Sequence, residues 1–259
     1  MNNDGLMRTL VVQARLRWRN PEDNRAHLEE MVSRHDGAVD VVVLPETFTT
    51  GFLGDEGIAE DMQGPTVAWM RSMATRLNAV VTGSSVIEDG GRWNRLLWVE
   101  PDGSLQHYDK RHLFAHAGED QRYSAGAERK VFTYRGWRIC PQICYDIRFP
   151  VWCRSRDDYD LLLTVANWPS TRAGAWRSLL QARAIENQAY VVAVNRVGED
   201  GNGKNYPGIS VAFDPLGEAL LEMGDEEALE MVTLELDKVR ATRERLPFHL
   251  EADAFGLKP

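Results

Sequence analysis

The feature that narrows the fold most is a set of short, unbroken apolar runs. The stretches "VDVVVLPE" (39–46) and "YDLLLTVANWP" (159–169) place apolar side chains at consecutive positions instead of alternating them with polar ones. A strand with one wet face alternates, whereas a strand buried on both faces does not. These runs therefore predict sheets with both faces covered. Longer amphipathic segments lie between them. "NPEDNRAHLEEMVSRH" has Asn20 as an N-cap, Pro21 at the first helical position, and a stripe of Leu28, Met31 and Val32. "GPTVAWMRSMATRLN" (64–78) and "GAWRSLLQARAIENQ" (174–188) also read as helices.

Further strands are expected at "RTLVVQA" (8–14), "AVVTGSSVIE", "AYVVAVNRVG" and "MVTLELD", the last followed by a charged tail. In "RWNRLLWVEPDGSLQHYDK" the Pro101-Asp102-Gly103 turn predicts a hairpin, and Pro215-Leu216-Gly217 divides two strands in the same way. Composition stays even along the 259 residues, with no repeat and no linker, so the expectation is one layered α/β domain over 1–259.

The net charge of −9 gives nucleic-acid phosphates no electrostatic reason to bind. The N-terminus lacks the basic flank and apolar core of a signal peptide, and no apolar stretch is long enough to span a membrane. Three cysteines are poor material for a disulfide framework, which points to a reducing cytoplasm.

Chemistry in α/β sheets collects at the carboxyl ends of strands. Glu46 ends "VVVLPE", Lys110 ends "LQHYDK" and Cys144 ends "RICPQIC". Singly, each has an ordinary reading: a loop acid, an edge lysine, a packing thiol. Cys140 and Cys153 are read as packing residues. The spacing Cys140-x3-Cys144-x8-Cys153 is not that of a structural zinc site, and no histidine pairing supports a metal. Together, though, the three strand-end groups form a working set. A thiol nucleophile needs a base, a carboxylate can take its proton and later return it to a leaving amine, and an ammonium can hold an oxyanion.

"LPETFTTGF", "YDKRHLF" and "ICYDIRFP", in this order, with "ANWP" (166–169) and "ARAIENQAYVVAVNRVG" (182–198) after them, resemble the signature segments of the nitrilase superfamily of carbon–nitrogen hydrolases. The likeness covers residues 8 to 236 and is greatest to bacterial omega-amidases, which hydrolyse the distal amide of 2-oxoglutaramate and 2-oxosuccinamate. The resemblance implies an α-β-β-α sandwich, dimerised into an α-β-β-α-α-β-β-α body, and a small-molecule amide substrate with no metal and no organic cofactor.

It also implies roles. Cys144 would be the nucleophile, Glu46 the base, and Lys110 an oxyanion donor beside the backbone N–H of Tyr145. Glu119, with Asp120 as a less favoured substitute, would orient Lys110. A substrate carboxylate calls for an arginine fork: Arg148 first, Arg172 second. The alternative for Arg148 is a structural ion pair, for example with Asp146. Trp168 and Phe48 would wall the pocket, and Glu186 would be buried and hydrogen-bonded. Rival activities with the same triad are N-carbamoyl amino acid hydrolysis, deaminated-glutathione hydrolysis and nitrile hydrolysis. A non-catalytic scaffold is the reading outside the enzymes.

Overall fold

The computed structural model describes residues 5–55, 57, 58 and 60–256. In chain order it begins with β1 (Leu6–Gln13), α1 (Pro21–Ser33), β2 (Val41–Val43), α2 (Pro65–Leu77), β3 (Val80–Glu88), β4 (Arg92–Val99) and β5 (Leu105–Asp109). It continues with β6 (Phe132–Tyr134), β7 (Trp137–Ile143), the short helix α3 (Pro150–Cys153), β8 (Leu161–Ala166), α4 (Ala173–Asn187) and β9 (Tyr190–Asn195). A small ribbon, β10 (Val197–Glu199) with β11 (Asn205–Pro207), precedes β12 (Val211–Phe213), β13 (Ala219–Glu222), β14 (Ala228–Glu235) and α5 (Leu236–Arg245).

Two six-stranded sheets face each other, ordered β14-β1-β2-β3-β4-β5 and β13-β12-β9-β8-β7-β6. Their parallel cores, β1-β2-β3 and β7-β8-β9, are the continuous apolar runs. Adjacent residues on one strand serve different layers. Met7, Val11, Val41, Val43 and Trp98 turn inward to meet Ile139, Leu161 and Leu163 of the second sheet. Leu10, Val12, Val42 and Leu97 turn outward under Leu28, Met31 and Val32 of α1 and Val67, Met70 and Met73 of α2. Trp176, Leu180 and Ala184 of α4 cover the second sheet. The result is helix on sheet on sheet on helix, the expected α-β-β-α sandwich.

Local chemistry explains the boundaries. The Asn20 side chain accepts the Asp23 N–H at 3.2 Å ahead of Pro21, a cap worth about 1 kcal/mol. Both expected hairpins form. Two expectations are corrected. The strand anticipated over 39–46 is regular only at Val41–Val43; single backbone bonds from Asp40 and Leu44 extend it, and past Pro45 the chain carries Glu46 over its end. The charged tail after the last strand is a helix, α5, whose Leu236, Val239, Thr242 and Arg243 are buried. The first four residues of the stretch read as carrying no leader lie outside the described residues. No helix of the described residues is long and apolar enough to cross a membrane.

Candidate active site

β2, β3 and β5 run in one direction in the first sheet, and β7, β8 and β9 run together in the second. Glu46 follows β2, Lys110 follows β5, Cys144 follows β7 and Asn167 follows β8. These four residues meet where the two sheets face each other. Lys110 is 1% exposed and Glu46 is fully buried. The Lys110 Nζ donates to Glu46 Oε1 at 2.8 Å and to both oxygens of Glu119 at 2.9 Å. Glu119 is buried in a 3-10 turn and also accepts the Phe114 N–H at 2.6 Å. Asp120, its neighbour, is exposed.

Two asparagines complete the cluster, and neither was singled out from the sequence. The Asn94 amide, on β4, donates to Glu46 Oε1 at 2.9 Å and to Glu119 Oε1 at 3.1 Å. The Asn167 N–H donates to Glu46 Oε2 at 2.7 Å, and its side chain reaches the Glu46 carbonyl at 2.8 Å. Asn167 lies in the quoted "ANWP", so a signal existed. Asn94 is one polar residue in a strand and gave none.

The electrostatics follow from two carboxylates sharing one ammonium in a dry place. Burial works against the Lys110 charge, but Glu119 and Glu46 outweigh it and hold the ammonium above its ordinary pKa. Burial pushes Glu119 up; Lys110 pulls it back and Glu46 adds to the rise. Burial, and then the Glu46 carboxylate, push the Cys144 thiol well above its ordinary value, against the pull of Lys110. The resting thiol is therefore protonated at neutral pH, and its reaction requires a base.

Cys144 begins a 3-10 turn, Cys144–Arg148, with its backbone in the left-handed region at φ 47°. A side chain other than glycine is strained there. The anchor is Asp146. Its carboxylate accepts the Ile143 N–H at 3.0 Å, the Tyr108 hydroxyl at 2.8 Å, and the His112 N–H and Nδ1 at 2.9 and 2.8 Å. Asp146 thus ties the thiol's elbow to the segment bearing Lys110. Asp146 is not paired with Arg148.

The thiol opens into a pocket lined by Phe52, Lys110, Phe114, Tyr145, Arg148, Asn167, Trp168, Arg172, Lys204 and Tyr206 among others. Tyr145, Arg148, Trp168 and Arg172, all singled out from the sequence, line it. Phe48 does not. It is fully buried beneath the first sheet's outer face, 5.8 Å from the Trp69 ring, and Phe52 takes the wall position, 5.5 Å from the Lys110 Nζ. Glu186 is half-buried instead of buried, and it pairs with Arg183 at 2.9 Å. Cys140 and Cys153 are free, fully buried thiols away from the pocket, and no group of metal-ligating side chains gathers among the described residues.

The Arg148 guanidinium stacks on Trp168 at 4.7 Å and Arg172 on Phe114 at 5.0 Å. Among the described residues neither is paired with a carboxylate. In a chain of net charge −9, this is a local cationic mouth over a thiol.

Comparison with known proteins places this geometry in a class. The model of the carbon-nitrogen hydrolase family matches residues 8–244, and the chain belongs to that family. It is an amidase. It is 45% identical to the omega-amidase YafV of Yersinia enterocolitica over 97% of this chain and 98% of that one. It is 32% identical to the 2-oxoglutaramate amidase of Bacillus subtilis over 91% and 93% of the two chains. Among solved structures, XC1258 from Xanthomonas campestris is 48% identical, with a TM-score of 0.95 over 98% of this chain and 99% of that one. That protein is described as a CN-hydrolase superfamily member with an arsenic adduct in its active site.

Proposed function

We propose that the enzyme hydrolyses the distal amide of a small 2-oxo dicarboxylate monoamide, 2-oxoglutaramate or 2-oxosuccinamate, through a Cys144 thioester. Glu46 takes the Cys144 proton as the sulfur attacks the amide carbon. The tetrahedral oxyanion lies between the Lys110 ammonium and the Tyr145 N–H. Glu46 then delivers its proton to the departing nitrogen, ammonia leaves, and the acyl thioester remains. Water gives its proton to Glu46 and attacks the thioester, releasing the second carboxylate and regenerating the thiol. Glu119 and Asn94 keep Lys110 and Glu46 in register throughout.

The observation that carries this reading is the pairing of a buried acid–amine cluster with two guanidiniums that have no acid partner at the mouth of the same pocket. A neutral amide would leave that positive charge unanswered. The names of the relatives support the same substrate class. A single domain over 1–259, a homodimer and a cytoplasmic location belong to this reading.

Ammonia release from a panel of ω-amides of 2-oxo acids, N-carbamoyl amino acids and nitriles tests it. The 2-oxo ω-amides are expected to give the highest kcat/KM. A carbamoyl substrate or a nitrile in first place overturns the assignment.

Arg148→Lys replaces a planar fork by a point charge. It is expected to lower kcat/KM on 2-oxoglutaramate by about tenfold or more, and on a neutral amide far less. Equal losses on the two substrates would move the carboxylate site to Arg172.

A further inference from the structure

We infer that Trp168 is a positioning residue that sets the preference for anionic amides by holding both mouth arginines ready without acid partners. The inference rests on the omega-amide reading above and names the part that enforces it.

Trp168 is 2% exposed and reaches Arg148 and Arg172 by different atoms. Its ring face lies under the Arg148 guanidinium, 4.7 Å from ring centre to Cζ. Its indole N–H donates to the Arg172 backbone carbonyl at 2.8 Å, which fixes the main chain at the end of the 3-10 turn Ser170–Arg172, and the Arg172 guanidinium lies over Phe114. The indole is itself held. Its backbone N–H donates to Asn195 Oδ1 at 2.7 Å, its carbonyl accepts the Asn195 amide at 3.0 Å, and its ring leans on Trp176 at 5.4 Å.

The chemistry explains why an aromatic is used. A guanidinium steadied by a carboxylate has spent its fork, whereas one steadied by a ring face keeps all its N–H donors in the guanidinium plane free. Stacking therefore gives rigidity and leaves the hydrogen-bonding edge for the ligand. Two such edges, with Lys204 also lining the pocket, fit a carboxylate and an adjacent oxo oxygen at the end of the substrate away from the amide. The far end is clamped before the thiol reacts, and binding energy from the carboxylate is converted into placement of the amide carbon.

The test compares glutaramate with pentanamide, which has the same chain length and amide but no carboxylate, in wild type, Trp168→Phe and Trp168→Leu. Phenylalanine keeps a ring for Arg148 and loses the N–H, while leucine loses both. Trp168→Leu is expected to lower the ratio of kcat/KM for glutaramate over pentanamide by about tenfold or more, through kcat as well as KM for glutaramate. Trp168→Phe is expected to lower it by about threefold.

A wild type that prefers glutaramate, with that ratio unchanged in the variants, overturns the inference and leaves the omega-amide reading standing. A wild type with no preference for glutaramate overturns the omega-amide reading itself. Near-ultraviolet circular dichroism reports whether each variant is folded. If the leucine variant fails to fold, the phenylalanine variant decides alone, and an unshifted ratio there is sufficient to reject the proposal.

Discussion

Cys144→Ala is expected to abolish ammonia release from every amide substrate, by about 10⁴-fold or more, while Cys140→Ala and Cys153→Ala retain turnover. Burial alone does not separate the three thiols. Burial pushes Cys140 up to about 11, and the other two are raised as well. Geometry separates them. Cys140 lies within β7, where its sulfur accepts from the Gln142 amide at 3.4 Å. Cys153, in α3, donates to the Asp146 carbonyl at 3.4 Å. Only Cys144 of the three lines the pocket, on a strained left-handed turn with the Lys110–Glu46 cluster around it. Intact-mass analysis after treatment with an electrophilic amide analogue should show one adduct, lost in Cys144→Ala. Similar losses from all three alanine variants at unchanged folding would end the single-nucleophile reading.

Lys110→Met is the second large effect, and it acts on two quantities. Losing an oxyanion donor costs roughly 3 kcal/mol of transition-state stabilisation, about 100-fold in kcat/KM. A loss smaller than about tenfold contradicts the assigned role. Because Lys110 is buried, the change also leaves Glu46 and Glu119 as buried carboxylates with no cation, at a cost of roughly 3–5 kcal/mol in stability.

That cost depends on pH, and its sign follows from Glu119. Burial already raises its folded-state pKa above the unfolded value, and Lys110 is the group that restrains the rise. Without Lys110 the rise is larger. A group raised in this way contributes most to stability below its unfolded pKa and loses that contribution as pH climbs through the folded one. The gap in Tm between wild type and Lys110→Met is therefore expected to widen from about pH 5 to about pH 8. A constant or narrowing gap would mean that Glu119 is not the group left unpaired.

Much of this was legible in the chain because the signals were local. Asn20-Pro21 marks a helix start by its own side chain, and the doubly buried strands announce themselves in consecutive valines and leucines. Strand-end positions carried Glu46, Lys110 and Cys144 to one place. What escaped depends on contacts between distant segments. Asn94 matters only because β4 brings it beside carboxylates 48 and 25 residues away. Asp146 matters because Tyr108 and His112 come to it from the lysine segment. Phe48 fails as the wall because it stands in a turn-rich stretch with no period, where nothing local says which side chain faces the thiol, and the structure puts Phe52 there. The α5 helix was missed because charge outweighed its sparse apolar positions, and packing against the body supplied what propensity did not.

The seam between the sheets and the rim above it are built from different residues. Glu46, Lys110, Asn94 and Glu119 are sealed in the interior, each held by the others, so a substitution at any one disturbs the whole set. Phe114, Arg148, Arg172 and Lys204 stand on short turns at the edge, and none of their side chains belongs to that knot. A lineage carrying this architecture can drift in what it accepts while its reaction stays the same. Diversity in diet should collect at the rim, and a laboratory library aimed at new amides would spend its variation there.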